Sequence, residues 1–531
     1  MKRFNTTAVC IPSKHYMVDL SERVAQIAKM VDAGEYFTIN RARQYGKTTT
    51  LNALRIALQD SYDVVSLDFQ GLGDASFRTE ESFCSGFVKL ILEESEYGQI
   101  ELPVGIREAF LAFVTDGHED KVLNDLLIAL RSWCRASERP LVLMVDEVDT
   151  ATNNQVFIDF LAGLRDAYIK RETKGMPAFQ SVILAGVTDV KHLRSKIRDE
   201  DLHRVNSPWN IAADFDVDMS LSEEGICGML EEYEADHETG MDAATLARQI
   251  RDYTAGYPFL VSRICQLIDE ALVPKRFATP SEAWTEYGVD EAVRTILSES
   301  NTLFESLMGK LTNFPHLAGQ LRRVLLHGET VPWLPYDEEQ QQLSMYGFIR
   351  KDHNAIAVAN RVFEMLLYNH FIGQSGRNED LKQIAAASRP AFVTQDGRLD
   401  VPRIMAHFIR DHNRIHRDGG TRFLEEEGRE RFLTYLSPIV NGAGTYSIEE
   451  QTRDRTRMDV VVHYLGRCYV IDLKIWHGGR HNRRAEEQIM GYMDHFGLST
   501  GYLLSFNFNR SKRPGVERVR IGDKTLFEGT V

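Results

Sequence analysis

The feature that most constrains this chain is a short stretch between an apolar run and a helical pattern. Tyr36-Phe37-Thr38-Ile39 has the length of a strand, and a helical pattern follows from Thr49 through Leu54, Ile56 and Leu58. Between them lies Arg41-Ala42-Arg43-Gln44-Tyr45-Gly46-Lys47-Thr48-Thr49. A strand that feeds a helix through a Gly-Lys-Thr turn is the setting a phosphate-binding loop requires, because the N–H groups at a helix N-terminus wrap phosphate oxygens. On this reading Lys47 neutralises the β- and γ-phosphates and the Thr48 hydroxyl binds Mg²⁺. The expected cofactors are ATP and Mg²⁺, and Arg41, Arg43, Gln44, Tyr45, Gly46, Lys47, Thr48 and Thr49 are the expected nucleotide contacts. A full motif has glycine five positions before Gly46, where this chain has Arg41. Taken alone, the segment also reads as a basic strand-to-helix turn.

A second segment argues against that plainer reading. Leu141-Val142-Leu143-Met144-Val145-Asp146-Glu147 is an apolar strand that ends in two acids. Asp146 is expected to hold the Mg²⁺ shell, and Glu147 to orient and deprotonate the attacking water. The following strand, Ser181 to Ala185, leads into Gly186-Val187-Thr188-Asp189. Thr188 reads either as a sensor of the γ-phosphate or as an ordinary strand-ending threonine. Arg194, Arg198 and Arg204 are each candidates for an arginine sensor and equally for surface residues. From Glu35 to about Val190, strands alternate with helical stretches, one of them a long helical insert from about Ser82 to Cys134. That order implies a parallel sheet covered on both faces.

Composition narrows the class. At roughly 100–200 residues per domain, 531 residues imply about three domains. Apolar runs such as Val182 to Val187 are strand-length, far below the ~20 residues of a membrane span. No membrane partner is expected. The six cysteines lie far apart with no CxxC pair, so neither a zinc site nor a disulfide framework is indicated. No secretory signal is visible, and a cytoplasmic, reduced protein is the expectation. The net charge is −15, but it is uneven: residues 401–531 hold 21 Lys+Arg against 17 Asp+Glu, leaving 41 against 60 in the remainder. The C-terminal end is therefore the part suited to a polyanion partner.

Arg41-x-Arg43-x-x-Gly46-Lys47-Thr48, Val145-Asp146-Glu147, Ala185-Gly186-Val187-Thr188-Asp189-Val190 and Ser207-Pro208-Trp209-Asn210-Ile211-Ala212-Ala213 together resemble the AAA-ATPase-like family of prokaryotes. Tyr253-Thr254-Ala255-Gly256-Tyr257-Pro258-Phe259-Leu260-Val261 resembles the lid-helix motif of the related archaeal-type ATPases. That family commonly carries arginine in place of the first loop glycine, so Arg41 is expected there. The resemblance covers about residues 10 to 370. It implies an α/β fold with a P-loop NTPase parallel-sheet core (1–220), a helical lid (221–275) and a winged-helix-like module (276–371). Gly347 to Arg350 and Ala355 to Val358 would form the hairpin of that module. Residues 372–400 read as a linker, from Gly373, Gly376, the Ala385-Ala386-Ala387-Ser388 run and Pro390.

The remainder, 401–531, holds a second constellation. Asp459 precedes the run Val460-Val461-Val462, and thirteen positions later Asp472-Leu473-Lys474 follows Tyr469-Val470-Ile471. In an extended strand Asp472 and Lys474 point to the same face. Two carboxylates and a lysine beside a scissile phosphate hold divalent ions and activate water, and Mg²⁺ or Mn²⁺ suits an all-oxygen site. Glu425 lies on a preceding helix, Glu450 before Asp459, and Gln488 and Tyr492 one helical turn apart after the Asp-x-Lys strand. This order is similar to the PD-(D/E)XK nuclease superfamily. That resemblance implies Asp459, Asp472 and Glu425 as metal ligands, Lys474 as the group that positions the water, and Gln488 as the helix residue completing the site. His477, Arg480, His481, Arg483 and Arg484 read either as phosphate contacts or as a solvated loop.

The leading expectation is an ATP-controlled, metal-dependent nuclease acting on nucleic acid, with DNA favoured over RNA by superfamily analogy alone. Defence against foreign DNA or mobile-element biology would be a setting for it, and a homo-oligomer is allowed. The alternative is a STAND-like ATP-driven switch whose nuclease-like domain binds without cutting.

Overall fold

In the computed structural model, the apolar runs that read as strands form one parallel sheet. Its strands are β1 (Tyr36–Asn40), β2 (Asp63–Asp68), β3 (Leu141–Asp146) and β4 (Ser181–Gly186). They lie in the order β1-β4-β3-β2, every pair parallel. Ala213 bridges Phe37 in parallel on the outer side of β1. The structure describes residues 2–97, 100–115, 121–152, 154–187, 209–326, 329–374, 379–415, 425–440, 444–447, 460–465, 467–475, 486–487, 489–494, 497–507 and 513–531.

Alternation along the strands feeds two cores, one on each face. Val65, Leu67, Leu143, Val145, Val182 and Leu184 point to one side, where Phe69, Phe83, Phe87, Phe157 and Phe160 pack. Phe37, Ile39, Val64, Val142, Met144, Ile183 and Ala185 point to the other, against Ile27, Leu51 and Leu54. Burial of β3 and β4 on both faces is why they read as unbroken apolar runs. The long insert is three helices, Glu80–Glu96, Val104–Leu111 and Leu123–Ala136. The first opens on a capping box, with the Thr79 hydroxyl accepting from the Ser82 N–H and the Ser82 hydroxyl from the Thr79 N–H. The helix after the loop, α1 (Lys47–Leu58), begins two residues earlier than its pattern suggests, because Gly46 caps it in a left-handed conformation.

The described chain divides into two compact units. The first comprises residues 1–236, 256–262 and 344–347, and the second 237–255, 263–343 and 348–531. The first therefore holds the parallel sheet, nearly all of α2 (Glu223–His237) and the first half of α3 (Pro258–Gln266).

In the second unit, β5 (Ile349–Asp352) and β6 (Ala355–Val358) form the expected antiparallel hairpin. α4 (Arg361–Gln374) follows, and the segment expected as a linker carries a helix, α5 (Glu379–Ser388). Leu381 and Ala385 of α5 are buried. The alanine run is helical because alanine is the strongest helix former, and one packed face stabilises the turn.

After α6 (Val401–Ile415) and α7 (Glu425–Val440) comes a six-stranded mixed sheet. Its strands are β7 (Gly444–Ser447), β8 (Val460–Tyr464), β9 (Arg467–Ile475), β10 (Thr500–Phe506), β11 (Gly515–Ile521) and β12 (Lys524–Thr530). The order is β11-β12-β10-β9-β8-β7. β7, β8 and β9 pair antiparallel, while β9-β10 and β10-β12 pair parallel. Among the described residues, no helix is long and apolar enough to cross a membrane.

Candidate functional site

The C-terminal ends of β1, β4 and β3 lie side by side, and the loops that leave them build one crevice. Ligands of parallel α/β sheets bind at this end. The loop after β1 is tied to its neighbour by the Arg41 N–H, which donates to the Gly186 carbonyl at 3.1 Å. It then turns into α1 through Gln44 and Gly46, with φ of +57° and +80°. Glycine is needed at position 46 for its backbone and not for space: a Cβ there would meet Pro258 at an ordinary 3.8 Å. A side chain at such a φ costs about 1–2 kcal/mol.

Lys47 is buried, and its ammonium donates to the carbonyls of Arg41 at 2.9 Å and Ala42 at 3.1 Å. Burial lowers its pKa, against the nearby carboxylates of Glu147, Asp149 and Asp146, which raise it. The Thr48 hydroxyl donates to Asp146 Oδ2 at 2.6 Å, which brings together two residues 98 positions apart. Asp146 Oδ1 accepts the N–H of Glu147 at 2.9 Å. Burial raises the Asp146 pKa, opposed by its bonds to Thr48 and Glu147. Glu147 is half-buried, and burial raises its pKa too, opposed by Lys47. Its backbone is left-handed at φ +53°, ψ +40°. A non-glycine residue holds that conformation only when its surroundings impose it. A hydroxyl and a carboxylate already in contact are hard oxygen donors, the set Mg²⁺ prefers.

Arg41 lies elsewhere than expected. Its guanidinium donates to the carbonyls of Asn40 and Val217, each at 2.9 Å, and sits 5.3 Å from the centre of the Phe215 ring. The side chain is thus committed to bracing the loop against the segment after the sheet. Arg43 is exposed, and its carbonyl accepts the Tyr257 hydroxyl. Tyr45 meets Tyr257 edge-on at 4.7 Å. The Thr49 hydroxyl accepts the Cys10 N–H at 3.2 Å. Gln44, Gly46 and Thr49 all line a cavity of about 150 Å³ beside the loop.

The other walls of that cavity escaped the sequence reading in part. Residues 5–8 and Cys10 form one, and Met229, Pro258 and Phe259 another. The N-terminal wall is shaped by Asn5, whose amide donates to the Thr7 carbonyl at 2.6 Å and the Val9 carbonyl at 3.3 Å. Nothing in the periodicity of this irregular segment points to a ligand. Asp149 was also missed: its Oδ2 accepts the Val187 N–H at 2.7 Å. A third acid within four residues of Asp146 was the available signal. Thr188, Arg194, Arg198 and Arg204 lie outside the described residues.

In the C-terminal sheet, Lys474 Nζ stands 3.4 Å from Asp472 Oδ1, and the Asp472 side chain is fully buried. Both lie on the face of β9 that carries Val470, which packs with Ile489, Tyr492 and Leu503. Glu425 opens α7, and its side chain is not among those described. Gly428, one turn on, abuts the Phe506 ring, and Phe506 pairs with Ile475. The N-terminal end of α7 therefore lies near the Lys474 end of β9. Asp459, Glu450, Gln488 and the run His477 to Arg484 lie outside the described residues.

Among solved structures, the chain is similar to a Walker-type ATPase of Pyrococcus abyssi, at 14% identity over 68% of this chain and 99% of that one, with a TM-score of 0.47. Cdc6p from Pyrobaculum aerophilum matches at 14% identity over 69% and 97%, with a TM-score of 0.33. The RuvB Holliday junction branch migration motor of Thermotoga maritima matches at 12% over 66% and 95%, with a TM-score of 0.32. No curated protein matches. The AAA-like domain family matches residues 4–371, which contain the whole crevice just described, and the chain belongs to that family.

Proposed function

We propose that the chain binds ATP with Mg²⁺ in the crevice at the end of β1, β4 and β3 and hydrolyses it, and that the nucleotide controls a metal-dependent nuclease site on β9. The observation that carries the first part is the 2.6 Å contact between Thr48 and Asp146. Thr48 and Asp146 would hold Mg²⁺, which would neutralise phosphate charge when bound. Lys47 would exchange carbonyl partners for phosphate oxygens. Gln44, Tyr45 and Gly46 would present backbone N–H groups, and Arg43 and Thr49 would flank the nucleotide. The cavity lined by Asn5, Cys10 and Phe259 is the place for its base. Glu147 would accept a proton from the attacking water and orient it, with Thr188 sensing the γ-phosphate.

The nuclease reading rests on Asp472 and Lys474. A fully buried carboxylate is costly without compensating charge, and Lys474 supplies part of it. Asp472, Asp459 and Glu425 would be ligands for Mg²⁺ or Mn²⁺, Lys474 would position water against the phosphodiester, and Gln488 would complete the site. The reading requires Asp459 to continue the register in which Val460 pairs with Ile471. Three antiparallel strands followed by a parallel one agree with it in kind. DNA is favoured over RNA, and a homo-oligomer is compatible. Control by nucleotide is supported by the make-up of the second unit, where the helix Ala243–Thr254 and the C-terminal sheet share one compact body. Arg361 of α4 pairs with Asp252 of that helix and lies 4.6 Å from the Tyr253 ring.

The test is incubation of the full chain with plasmid, linear and single-stranded DNA and with RNA, in Mg²⁺ or Mn²⁺, with and without ATP. ATP-dependent cutting that Lys474→Ala abolishes is the expected result. No cutting by the wild type, with nucleotide still bound, would leave a switch whose C-terminal sheet binds without cutting.

A further inference from the structure

The turn that carries Glu147 is closed on itself by local bonds. The Thr150 hydroxyl donates to the Glu147 carbonyl at 3.0 Å, the Ala151 N–H to the Val148 carbonyl at 3.0 Å, and the Thr152 hydroxyl to the Asp149 carbonyl at 3.0 Å. These fix its shape, whereas its placement on the sheet needs a bond that leaves the turn. The Asp149 carboxylate makes one, accepting the Val187 N–H at 2.7 Å. Val187 follows β4, the strand between β1 and β3. On its other side the same strand end holds the phosphate loop, through the Gly186 carbonyl and the Arg41 N–H.

Gly186 fits this clasp. A Cβ at that position would lie 2.9 Å from Val148 Cγ2 and 3.2 Å from Asp149 Oδ2. Only a bare backbone lets the turn approach so closely.

We propose that Asp149 is a positioning residue for ATP hydrolysis: by accepting the Val187 N–H, it holds the Glu147 turn in register with the phosphate loop. This rests on the reading of Glu147 as the residue that orients water. What the site needs from Asp149 is an oxygen acceptor at a fixed place, so an amide serves where a methyl does not. Misplacing a catalytic group by an ångström slows turnover while leaving the phosphate cradle intact, so the role shows in kcat and not in binding.

The test compares wild type, Asp149→Ala, Asp149→Asn and Gly186→Ala in the full chain. Phosphate release, the Kd of a non-hydrolysable ATP analogue and thermal melting are followed for each. Asp149→Ala is expected to lower kcat about 100-fold, with the analogue Kd within about threefold of wild type. Asp149→Asn is expected to keep kcat within about threefold, since its amide oxygen still accepts. Gly186→Ala, whose Cβ would crowd Val148 and the Asp149 carboxylate and push the turn off β4 while keeping Asp149 itself, is expected to reproduce the kcat loss. Wild-type kcat in both Asp149→Ala and Gly186→Ala overturns the proposal. So does Asp149→Asn as slow as Asp149→Ala, or a loss of binding in step with kcat. If Asp149→Ala does not fold, Gly186→Ala and Asp149→Asn decide by the same criteria. A wild type that releases no phosphate counts against the hydrolysis reading itself.

Discussion

Two acids in this protein end up in opposite settings. Asp146 sits at the mouth of its sheet, where β3 ends, and is held by the Thr48 hydroxyl and the Glu147 N–H. Asp472 sits within β9, fully buried, with Lys474 at 3.4 Å. The difference teaches how each would meet a ligand. A strand end on a parallel sheet is open, and neighbouring loops converge on it, so the partners of Asp146 come from the segments after β1 and β3. A carboxylate inside a strand has only residues of its own face and the covering helix, and its charge must be balanced nearby. The first site is assembled by topology and the second by alternation along one strand.

The sharpest way to break this comparison is at Asp472. Asp472→Asn removes the charge, and with it the metal ligand proposed above, with little change of shape. Cutting of DNA is expected to fall by about 1000-fold, the several kcal/mol that a metal-held phosphate contributes. The melting temperature should hold or rise, since a buried charge has been removed. A large drop in melting temperature would instead make the Asp472–Lys474 pair a structural element. Chelation with EDTA should remove cutting in the wild type to the same extent.

The next effect is at Lys47. Lys47→Ala is expected to weaken ATP binding by about 10–100-fold, the worth of a charge-assisted contact in a buried site. Binding measured by fluorescence of a labelled nucleotide checks it, and unchanged affinity would remove Lys47 from the phosphate site. Gly46→Ala should cost about 1–2 kcal/mol of stability, seen in denaturant unfolding, because only its φ demands glycine. Tyr257→Phe is the smallest of the series. It removes the hydroxyl that the Arg43 carbonyl accepts, a loss of about 1 kcal/mol, read as a few-fold weaker nucleotide affinity.

How far each site was legible in the sequence follows from the same contrast. The parallel sheet was visible because β3 and β4 are apolar on both faces, and Gly46-Lys47-Thr48 and Asp146-Glu147 mark the ends of β1 and β3 in the chain itself. The hairpin at 349–358 was visible from its two short runs, whereas the helix at 379–388 was hidden by flanking glycine and proline. Arg41 was placed by motif position alone, and what decides its side chain is Val217 and Phe215, 176 and 174 residues away. Asn5, Cys10 and Asp149 lie on irregular backbone and are placed by individual hydrogen bonds, which leave no period to read. For Asp472 and Lys474, alternation alone put both on one face.

The central claim is that Thr48, Asp146 and Glu147 form a hydrolytic ATP site. Its most direct test is phosphate release and ATP binding by the purified full chain in Mg²⁺, wild type beside Glu147→Gln. The account predicts measurable turnover in the wild type. In Glu147→Gln it predicts a fall of about 100-fold or more, with ATP still bound. Equal phosphate release from the two proteins, or no ATP binding by either, would contradict it.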